Sequence, residues 1–245
     1  MTDGLLLIHA FPLDARMWEP QIGAIADAVS VVAPHLPGFG GSQDAGDVMT
    51  MGAAADRCLE ALESFGVDRA IVCGLSMGGY VALELWRRAP ERFAGLVLAN
   101  TRAGADTEEG ATGRRGLATR LLSEGSGFLV ESPPPLLSEG ASDGLRARVR
   151  ELIAGQPAAS IAAAALGMAD RPDSVGDLGS ISVPTLVVTS DQDTLIPAEV
   201  SSPMAEQIAG AELAVIEGAG HLSNMEAPEA FDELLARHIE RCLGG

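Results

Sequence analysis

The sequence contains no lysine: all 16 of its basic residues are arginines, and they face 34 acidic residues. The absence of lysine excludes Schiff-base chemistry and a P-loop nucleotide site, since both need a lysine amine. The net charge of −18 makes the surface repel phosphate backbones, so we expect no nucleic-acid partner.

Cysteine is also scarce, with Cys58, Cys73 and Cys242 widely spaced and no CxxC pair. This pattern favours neither a disulfide scaffold nor a zinc site, and it is typical of reduced thiols in a cytoplasmic protein. The N-terminus lacks a basic region, and the apolar run 5–8 is too short for a signal-peptide core. We therefore expect no export, no membrane span and no metal.

The overall composition is that of a soluble globular chain. Of the 245 residues, 47% are hydrophobic and 20% are charged, which is enough to bury a sizeable core. Aromatic residues make up only 4%, so a substrate pocket in this protein is expected to be mainly aliphatic.

Short apolar runs alternate with segments of helical spacing, which predicts an α/β fold with a mostly parallel sheet of about six strands. The predicted strands are Leu5–Ala10, Val29–Ala33, Ala70–Leu75, Gly95–Ala99, Thr185–Thr189 and Glu212–Ile216. The predicted flanking helices are Gly52–Phe65, Met77–Arg88, Ala198–Ala209 and Ala227–Cys242.

Residues 101–182 interrupt this alternation, since they contain no convincing strand but do contain a helical stretch at Pro157–Met168. A structureless loop of that length would be unusual in a compact domain. We therefore predict a core domain at 1–100 and 183–245 and a helical cap at 101–182.

The sharpest motif is GxSxG at 74–78, directly after a predicted strand and directly before a predicted helix. A strand that turns abruptly into a helix holds the central serine, Ser76, in a strained and projecting conformation. The following helix places its positive end beside the reacting oxygen. The alternative interpretation is a glycine turn in which Ser76 only caps the helix.

A serine nucleophile needs a base, and four histidines are available. His238 is predicted to be a surface residue of the last helix, His9 ends the first strand, and His35 lies in a glycine- and proline-rich turn. His221 lies in a small-residue loop after the last strand, at the same sheet edge as Ser76, so it is the predicted base.

The base needs an orienting carboxylate, and the loop after the strand at 185–189 offers Asp191 and Asp193. We choose Asp193, whose side chain can bend back toward His221, and keep Asp191 as the alternative. The oxyanion of an acyl-transfer reaction would be bound by the backbone amides of Phe11 and Met77.

These motifs resemble the α/β-hydrolase family, and the resemblance covers nearly the whole chain. Its four blocks are the loop 9–18, the glycine turn 36–42, the elbow 74–79 and the histidine loop 218–228. The resemblance implies Ser76, Asp193 and His221 as the triad, Phe11 and Met77 as oxyanion donors, and no cofactor. Within the family the pattern is most similar to small carboxylesterases and 3-oxoadipate enol-lactonase-like hydrolases.

The sequence also departs from the family pattern. Ala10 stands in place of the usual glycine, and His35 stands where an acidic residue is commoner. The predicted strands do not include the edge hairpin that many relatives carry. Position 76 is serine and not aspartate, which argues against haloalkane dehalogenases and epoxide hydrolases.

We therefore expect a serine hydrolase that acts on a small-molecule ester or lactone. A thioesterase, a carbon–carbon hydrolase or a cofactor-free perhydrolase would use the same residues, and a non-catalytic ligand receptor is a further alternative. The sequence does not decide whether the protein forms a homodimer. The residues predicted to line the pocket are Leu122, Leu136, Leu166 and Met168. The arginines of the cap could also anchor a substrate carboxylate: Arg102, Arg114, Arg115, Arg120, Arg146, Arg148, Arg150 and Arg171.

Overall fold

The computed structural model describes residues 2–244. Its strands are β1 (Asp3–Ile8), β2 (Ser30–Val32), β3 (Arg69–Leu75), β4 (Phe93–Ala99), β5 (Thr185–Ser190) and β6 (Glu212–Ile216). They form one sheet in the order β2-β1-β3-β4-β5-β6, and each neighbouring pair is parallel. The predicted α/β fold is therefore confirmed, and all six predicted strands are present with ends shifted by up to two residues.

Helices cover both faces of this sheet, as a parallel sheet requires. They are α1 (Glu19–Ile25), α2 (Met51–Ser64), α3 (Met77–Arg88), α4 (Glu108–Glu124), α5 (Gly127–Glu131), α6 (Asp143–Ala154), α7 (Ala158–Ala169), α8 (Ala198–Gln207), α9 (Ser223–Glu226) and α10 (Pro228–Leu243). Helix α1 packs against α10, and α2 packs against α3. Because β3 and β4 lie at the centre, their side chains from Ala70 onward are buried.

The carboxyl ends of the strands meet at one edge of the sheet, where open α/β proteins place their sites. Ser76 follows β3 directly and Asn100 follows β4 directly. Asp193 lies three residues after β5, and His221 lies in the loop after β6. Side chains that follow four different strands can therefore meet at this edge.

The segment between β4 and β5 contains α4, α5, α6 and α7, with α4 packed along α7. It is attached to the sheet-edge loops by polar contacts. Gln156 donates from Nε2 to Asp14 Oδ2 at 2.6 Å and accepts from the Gly40 amide at 2.9 Å. Arg148 forms an ion pair of 2.8 Å with Glu19. Residues 101–182 are thus held against the loops that follow β1 and β2.

One residue of the last helix differs from its prediction. His238 is buried, with 3% of its surface exposed, because its face of α10 packs against β4. Burial lowers the pKa of His238 to about 4. It is therefore a residue of the core and not of the surface.

No single helix within residues 2–244 is long and apolar enough to cross a membrane. Helices α6 and α7 together meet the length and composition test, but they join at a bend of 92°.

Candidate active site

Ser76 occupies the sharp turn between β3 and α3 with φ 56° and ψ −114°, a conformation that L-residues rarely adopt. The turn requires glycine on both sides. A Cβ at position 74 would clash with the carbonyl of Gly78, and a Cβ at position 78 would clash with the carbonyl of Ile8. The motif is therefore explained by the close packing of this turn.

The backbone of Ser76 is fixed while its hydroxyl is not used for capping. Its amide donates to the Ala99 carbonyl at 2.9 Å, and its carbonyl accepts from Thr101 Oγ1 at 2.7 Å. Although Ser76 lies at the N-cap position of α3, its side chain makes no capping hydrogen bond. The alternative interpretation, a serine that only caps a helix, does not fit this geometry.

His221 and Asp193 form a direct pair, in which His221 Nδ1 lies 2.8 Å from Asp193 Oδ2. Both residues are buried. Oδ1 of the same carboxylate accepts from the amides of Leu195 and Ile196, each at 2.9 Å. Burial alone would raise the pKa of Asp193, but its hydrogen bonds and the nearby imidazole outweigh burial, so this pKa lies below its ordinary value.

Asp191, the alternative acid, lies elsewhere in the same loop. It is exposed, and its Oδ1 accepts from the Gly218 amide at 2.7 Å. Asp191 therefore braces the turn that leads to the histidine loop, and Asp193 is the carboxylate that contacts the imidazole.

Asn100 is a further polar residue of this site, which the sequence reasoning missed. Its Nδ2 donates to Asp193 Oδ2 at 3.0 Å and to Ser190 Oγ at 2.7 Å. Its Oδ1 accepts from Ser223 Oγ at 2.6 Å. Asn100 has φ 43°, and an asparagine directly after a buried strand is a signal for this conformation. Asn100 therefore links Asp193 to the histidine loop through hydrogen bonds.

A cavity of about 290 Å³ lies above these side chains. Its lining residues are Phe11, Ser76, Tyr80, Arg102, Arg114, Leu117, Pro134, Leu136, Met168, Leu195, Ile196 and His221. Within residues 2–244 no hydrogen bond joins the Ser76 hydroxyl to His221, although both border this cavity. Catalytic hydrogen bonds are often long without substrate and shorten in the complex, so this geometry is compatible with a serine–histidine pair.

Two backbone amides beside this cavity are available as donors. Phe11 lines the cavity, and Met77 is the first residue of α3. Neither amide donates a hydrogen bond in the described part of the chain. Both are therefore free to bind an oxygen that becomes negatively charged.

The predicted lining residues divide into two groups. Leu136 and Met168 line the cavity, whereas Leu122 and Leu166 do not. The predictions for these two were wrong: Leu122 is 65% exposed because Leu121, its neighbour on α4, faces the core, and Leu166 packs against the core cluster. Leu117, one helical turn before Leu121, lines the cavity instead and was not predicted.

Two other histidines have structural contacts. His9 Nε2 accepts from the Leu36 amide at 3.1 Å, and His35 Nδ1 accepts from the Ala15 amide at 3.3 Å. Burial lowers the pKa of His9 to about 4. His9 is therefore neutral at pH 7 and holds the loop after β2 against the end of β1.

The chain is similar to known proteins over most of its length. A model of the alpha/beta hydrolase family matches residues 5–234. The chain is 29% identical to 3-oxoadipate enol-lactonase 1 of Acinetobacter baylyi over 96% of this chain and 88% of that protein. It is 32% identical to a putative carbamate hydrolase, RutD, of Rhizobium rhizogenes over 91% of this chain and 87% of that protein.

Among solved structures, a thermophilic esterase from Thermogutta terrifontis superposes with a TM-score of 0.94 at 39% identity. The match covers 99% of this chain and 92% of the esterase. Because the family model spans nearly the whole sequence, the chain belongs to the alpha/beta hydrolase family.

Proposed function

We propose that this protein is a serine hydrolase that cleaves small carboxylic esters or lactones through an acyl-enzyme intermediate. The observation that carries the proposal is the 2.8 Å contact between His221 and Asp193 beside a cavity that Ser76 also lines. The esterase and enol-lactonase relatives support a carboxylic ester hydrolase at the level of the bond that is cleaved.

In the first step Ser76 Oγ attacks the carbonyl carbon of the ester while His221 Nε2 takes the hydroxyl proton. The carbonyl oxygen becomes negative and is bound by the amides of Phe11 and Met77. The tetrahedral intermediate then breaks its bond to the alcohol oxygen, which leaves with the proton from His221. In a lactone the alcohol stays attached to the acyl group.

In the second step a water molecule attacks the acyl carbon, and His221 takes one of its protons. Collapse of the second tetrahedral intermediate breaks the bond to Ser76 Oγ, which recovers a proton from His221, and the carboxylic acid is released. Asp193 holds Nδ1–H of the imidazole throughout, so that Nε2 faces the serine and the imidazolium is stabilised.

The size and surface of the cavity support small substrates. Its volume of about 290 Å³ lies at the low end of ligand pockets, which are typically about 300–1,000 Å³. The aliphatic part of its wall consists of Leu117, Pro134, Leu136, Met168, Leu195 and Ile196. Short acyl chains are therefore favoured over long ones.

The test is hydrolysis of 4-nitrophenyl acetate and butyrate by the wild-type protein and by Ser76→Ala. We expect Ser76→Ala to lose activity at an unchanged melting temperature, while Ser123→Ala, on the exposed side of α4, keeps it. Hydrolysis by Ser76→Ala would overturn the proposed nucleophile.

Labelling with a fluorophosphonate separates an enzyme from a ligand receptor, because only an activated serine reacts. Peptide mapping should place the label on Ser76 in the wild-type protein and find none in His221→Ala. A wild-type protein that stays unlabelled would favour the receptor.

A further inference from the structure

Three arginines of segment 101–182 surround a single buried carboxylate beside the candidate active site. Asp106 exposes only 1% of its side chain, and its Oδ1 contacts Arg102 Nη2 at 2.8 Å and Arg171 Nη1 at 2.9 Å. Its Oδ2 accepts from Arg114 Nε. One carboxylate thus faces three guanidinium groups.

This cluster carries an excess of positive charge in an acidic protein. Burial raises the pKa of Asp106, but the hydrogen bonds and charges of Arg114 and Arg171 have a larger, opposite effect. The pKa therefore lies below its ordinary value, and the carboxyl is ionised at neutral pH. Three positive charges against one negative charge leave two positive charges without a partner in the cluster. The chain as a whole has a net charge of −18, so the excess is local.

Arg171 makes structural contacts through both terminal nitrogens, and its buried Nε has no partner in the described chain. Its guanidinium lies 4.1 Å from the centroid of the Tyr80 ring and donates to the carbonyls of Met168 and Gly104 at 2.9 and 2.8 Å. Its side chain is 3% exposed, and it does not line the cavity. Arg171 therefore neutralises Asp106 and orders the turn after α7.

Arg102 and Arg114 differ from Arg171 because they line the cavity together with Ser76 and His221. Within residues 2–244, Arg102 donates only through Nη2, and its buried Nε has no partner. The second contact of Arg114 is a long one, 3.4 Å to the sulfur of Met168. No carboxylate lines the cavity in the described chain.

We propose that Arg102 and Arg114 form a binding site for a carboxylate of the substrate, so that the enzyme prefers esters or lactones whose acyl part carries an acid group. Their planar guanidinium groups offer paired donors that match the two oxygens of a carboxylate. Leu117, Leu136 and Met168 would contact the aliphatic chain between the acid and the ester. This inference rests on the proposed serine hydrolase and names its substrate class.

The first test compares two esters of the same shape and different charge. Monomethyl glutarate carries a carboxylate where methyl 5-methylhexanoate carries an isopropyl group, and release of methanol measures both reactions. We expect kcat/KM to be roughly tenfold or more higher for monomethyl glutarate, since hydrogen bonds to charged groups are worth about that factor. Equal values, with both esters hydrolysed, would overturn the carboxylate site and leave the hydrolase intact.

The second test uses Arg102→Gln and Arg114→Gln, with Arg115→Gln as the matched control. Arg115 is the next residue of α4, but it is half-exposed, pairs with Asp170 and does not line the cavity. The ratio of kcat/KM for the charged ester over the neutral ester should fall roughly tenfold in the first two variants. It should stay at the wild-type value in the control. An unchanged ratio in both Arg102→Gln and Arg114→Gln would overturn the proposal.

Removing either arginine also weakens the neutralisation of Asp106, so a variant that keeps the charge is needed. Arg102→Lys retains a cation beside Asp106 but loses the paired donors. It should keep the wild-type melting temperature and still lose most of the preference for the charged ester. A fully retained preference would show that charge alone, and not the guanidinium geometry, selects the acid.

Direct binding separates this inference from the proposed reaction. Calorimetric titration of Ser76→Ala with glutarate needs no catalysis, and we expect binding that Arg102→Lys weakens roughly tenfold. Absence of glutarate binding would overturn the site even if both esters are hydrolysed. Binding without hydrolysis of either ester would overturn the proposed function and keep the site.

Discussion

Nδ2 of Asn100 donates a hydrogen bond of 3.0 Å to Oδ2 of Asp193, the same oxygen that contacts Nδ1 of His221. Asn100 is fully buried, and its own oxygen accepts from Ser223 in the histidine loop. A neutral amide at this position therefore orients the carboxylate without adding charge to it.

Asn100→Asp should make the folded protein sensitive to pH in the acid range. It places a second carboxyl group against Asp193, so the pKa of the pair rises in the folded state. A raised carboxyl pKa costs stability above the ordinary carboxyl pKa of about 4 and costs little below it. We expect the free energy of unfolding to fall by about 3 kcal/mol at pH 7 and by less as the pH approaches 4. Urea unfolding curves measure this difference.

Asn100→Gly is the control for this variant, because glycine accepts φ 43° and removes the side-chain hydrogen bonds without adding a charge. Its loss of stability should change less with pH than that of Asn100→Asp, because it only removes an amide that lowers the pKa of Asp193 and adds no second carboxyl group. Parallel pH profiles for Asn100→Asp and Asn100→Gly would contradict the expected repulsion.

The same substitution, aspartate to asparagine, should have different effects at the two candidate acids, Asp191 and Asp193. Asp193→Asn replaces the acceptor for His221 Nδ1–H, which favours the wrong tautomer and should lower kcat by roughly 10³–10⁴. Asp191→Asn affects only the contact with the Gly218 amide, so kcat should change by less than about threefold. Steady-state hydrolysis of 4-nitrophenyl butyrate measures both, and a larger effect for Asp191→Asn would reverse the assignment.

The sequence predicts this fold well because four of its six strands are almost entirely buried. The apolar runs of β3 and β4 have no other stable position than the centre of a sheet. The signals for Ser76 and His221 are equally local, since each lies in a small-residue loop directly after a strand. Such features depend on neighbouring residues in the chain and can be predicted from it.

Contacts between distant segments are harder to predict. Asn100 and Ser223 are ordinary polar residues in the sequence, and only the fold brings them within hydrogen-bond distance. The predicted lining residue Leu122 was wrong for a related reason. Helix α4 has buried residues on one narrow face, and its rotation depends on packing against α7, which the periodicity of α4 does not fix.

His9 gives a second pH dependence, which concerns stability alone. Its pKa is lowered by burial to about 4 in the folded protein, whereas an exposed histidine titrates near about 6.5. A lowered pKa contributes stability that is present above about pH 6.5 and is lost as the pH falls toward 4. The loss should amount to roughly 3 kcal/mol over this range, since one pKa unit corresponds to about 1.4 kcal/mol.

His9→Gln tests this contribution because the glutamine oxygen can accept from the Leu36 amide without titrating. The variant should be less stable than the wild-type protein at pH 7, and the difference between them should narrow as the pH falls to 4.5. A difference that stays constant over this range in urea unfolding experiments would show that His9 does not titrate in the folded state as expected.

Glu226 connects segment 101–182 to the histidine loop. Its removal should lower activity by displacing His221. Oε2 of Glu226 accepts from the amides of Ser138 at 3.0 Å and Gly220 at 2.9 Å, and Oε1 accepts from the Ser138 hydroxyl. Gly220 directly precedes His221, so the position of the imidazole depends on this carboxylate. The Leu222 amide adds a hydrogen bond of 2.9 Å to the Leu136 carbonyl.

Glu226→Ala should therefore lower kcat by roughly tenfold, because it leaves the amides of Ser138 and Gly220 without their acceptor. The control is Glu229→Ala in the first turn of α10, where the carboxylate is exposed and the substitution should change kcat by less than about twofold. Both variants are compared by steady-state kinetics and thermal unfolding. If Glu226→Ala lowers the melting temperature and leaves kcat unchanged, the carboxylate holds the two segments together but does not position His221, because a displaced imidazole would slow proton transfer from Ser76.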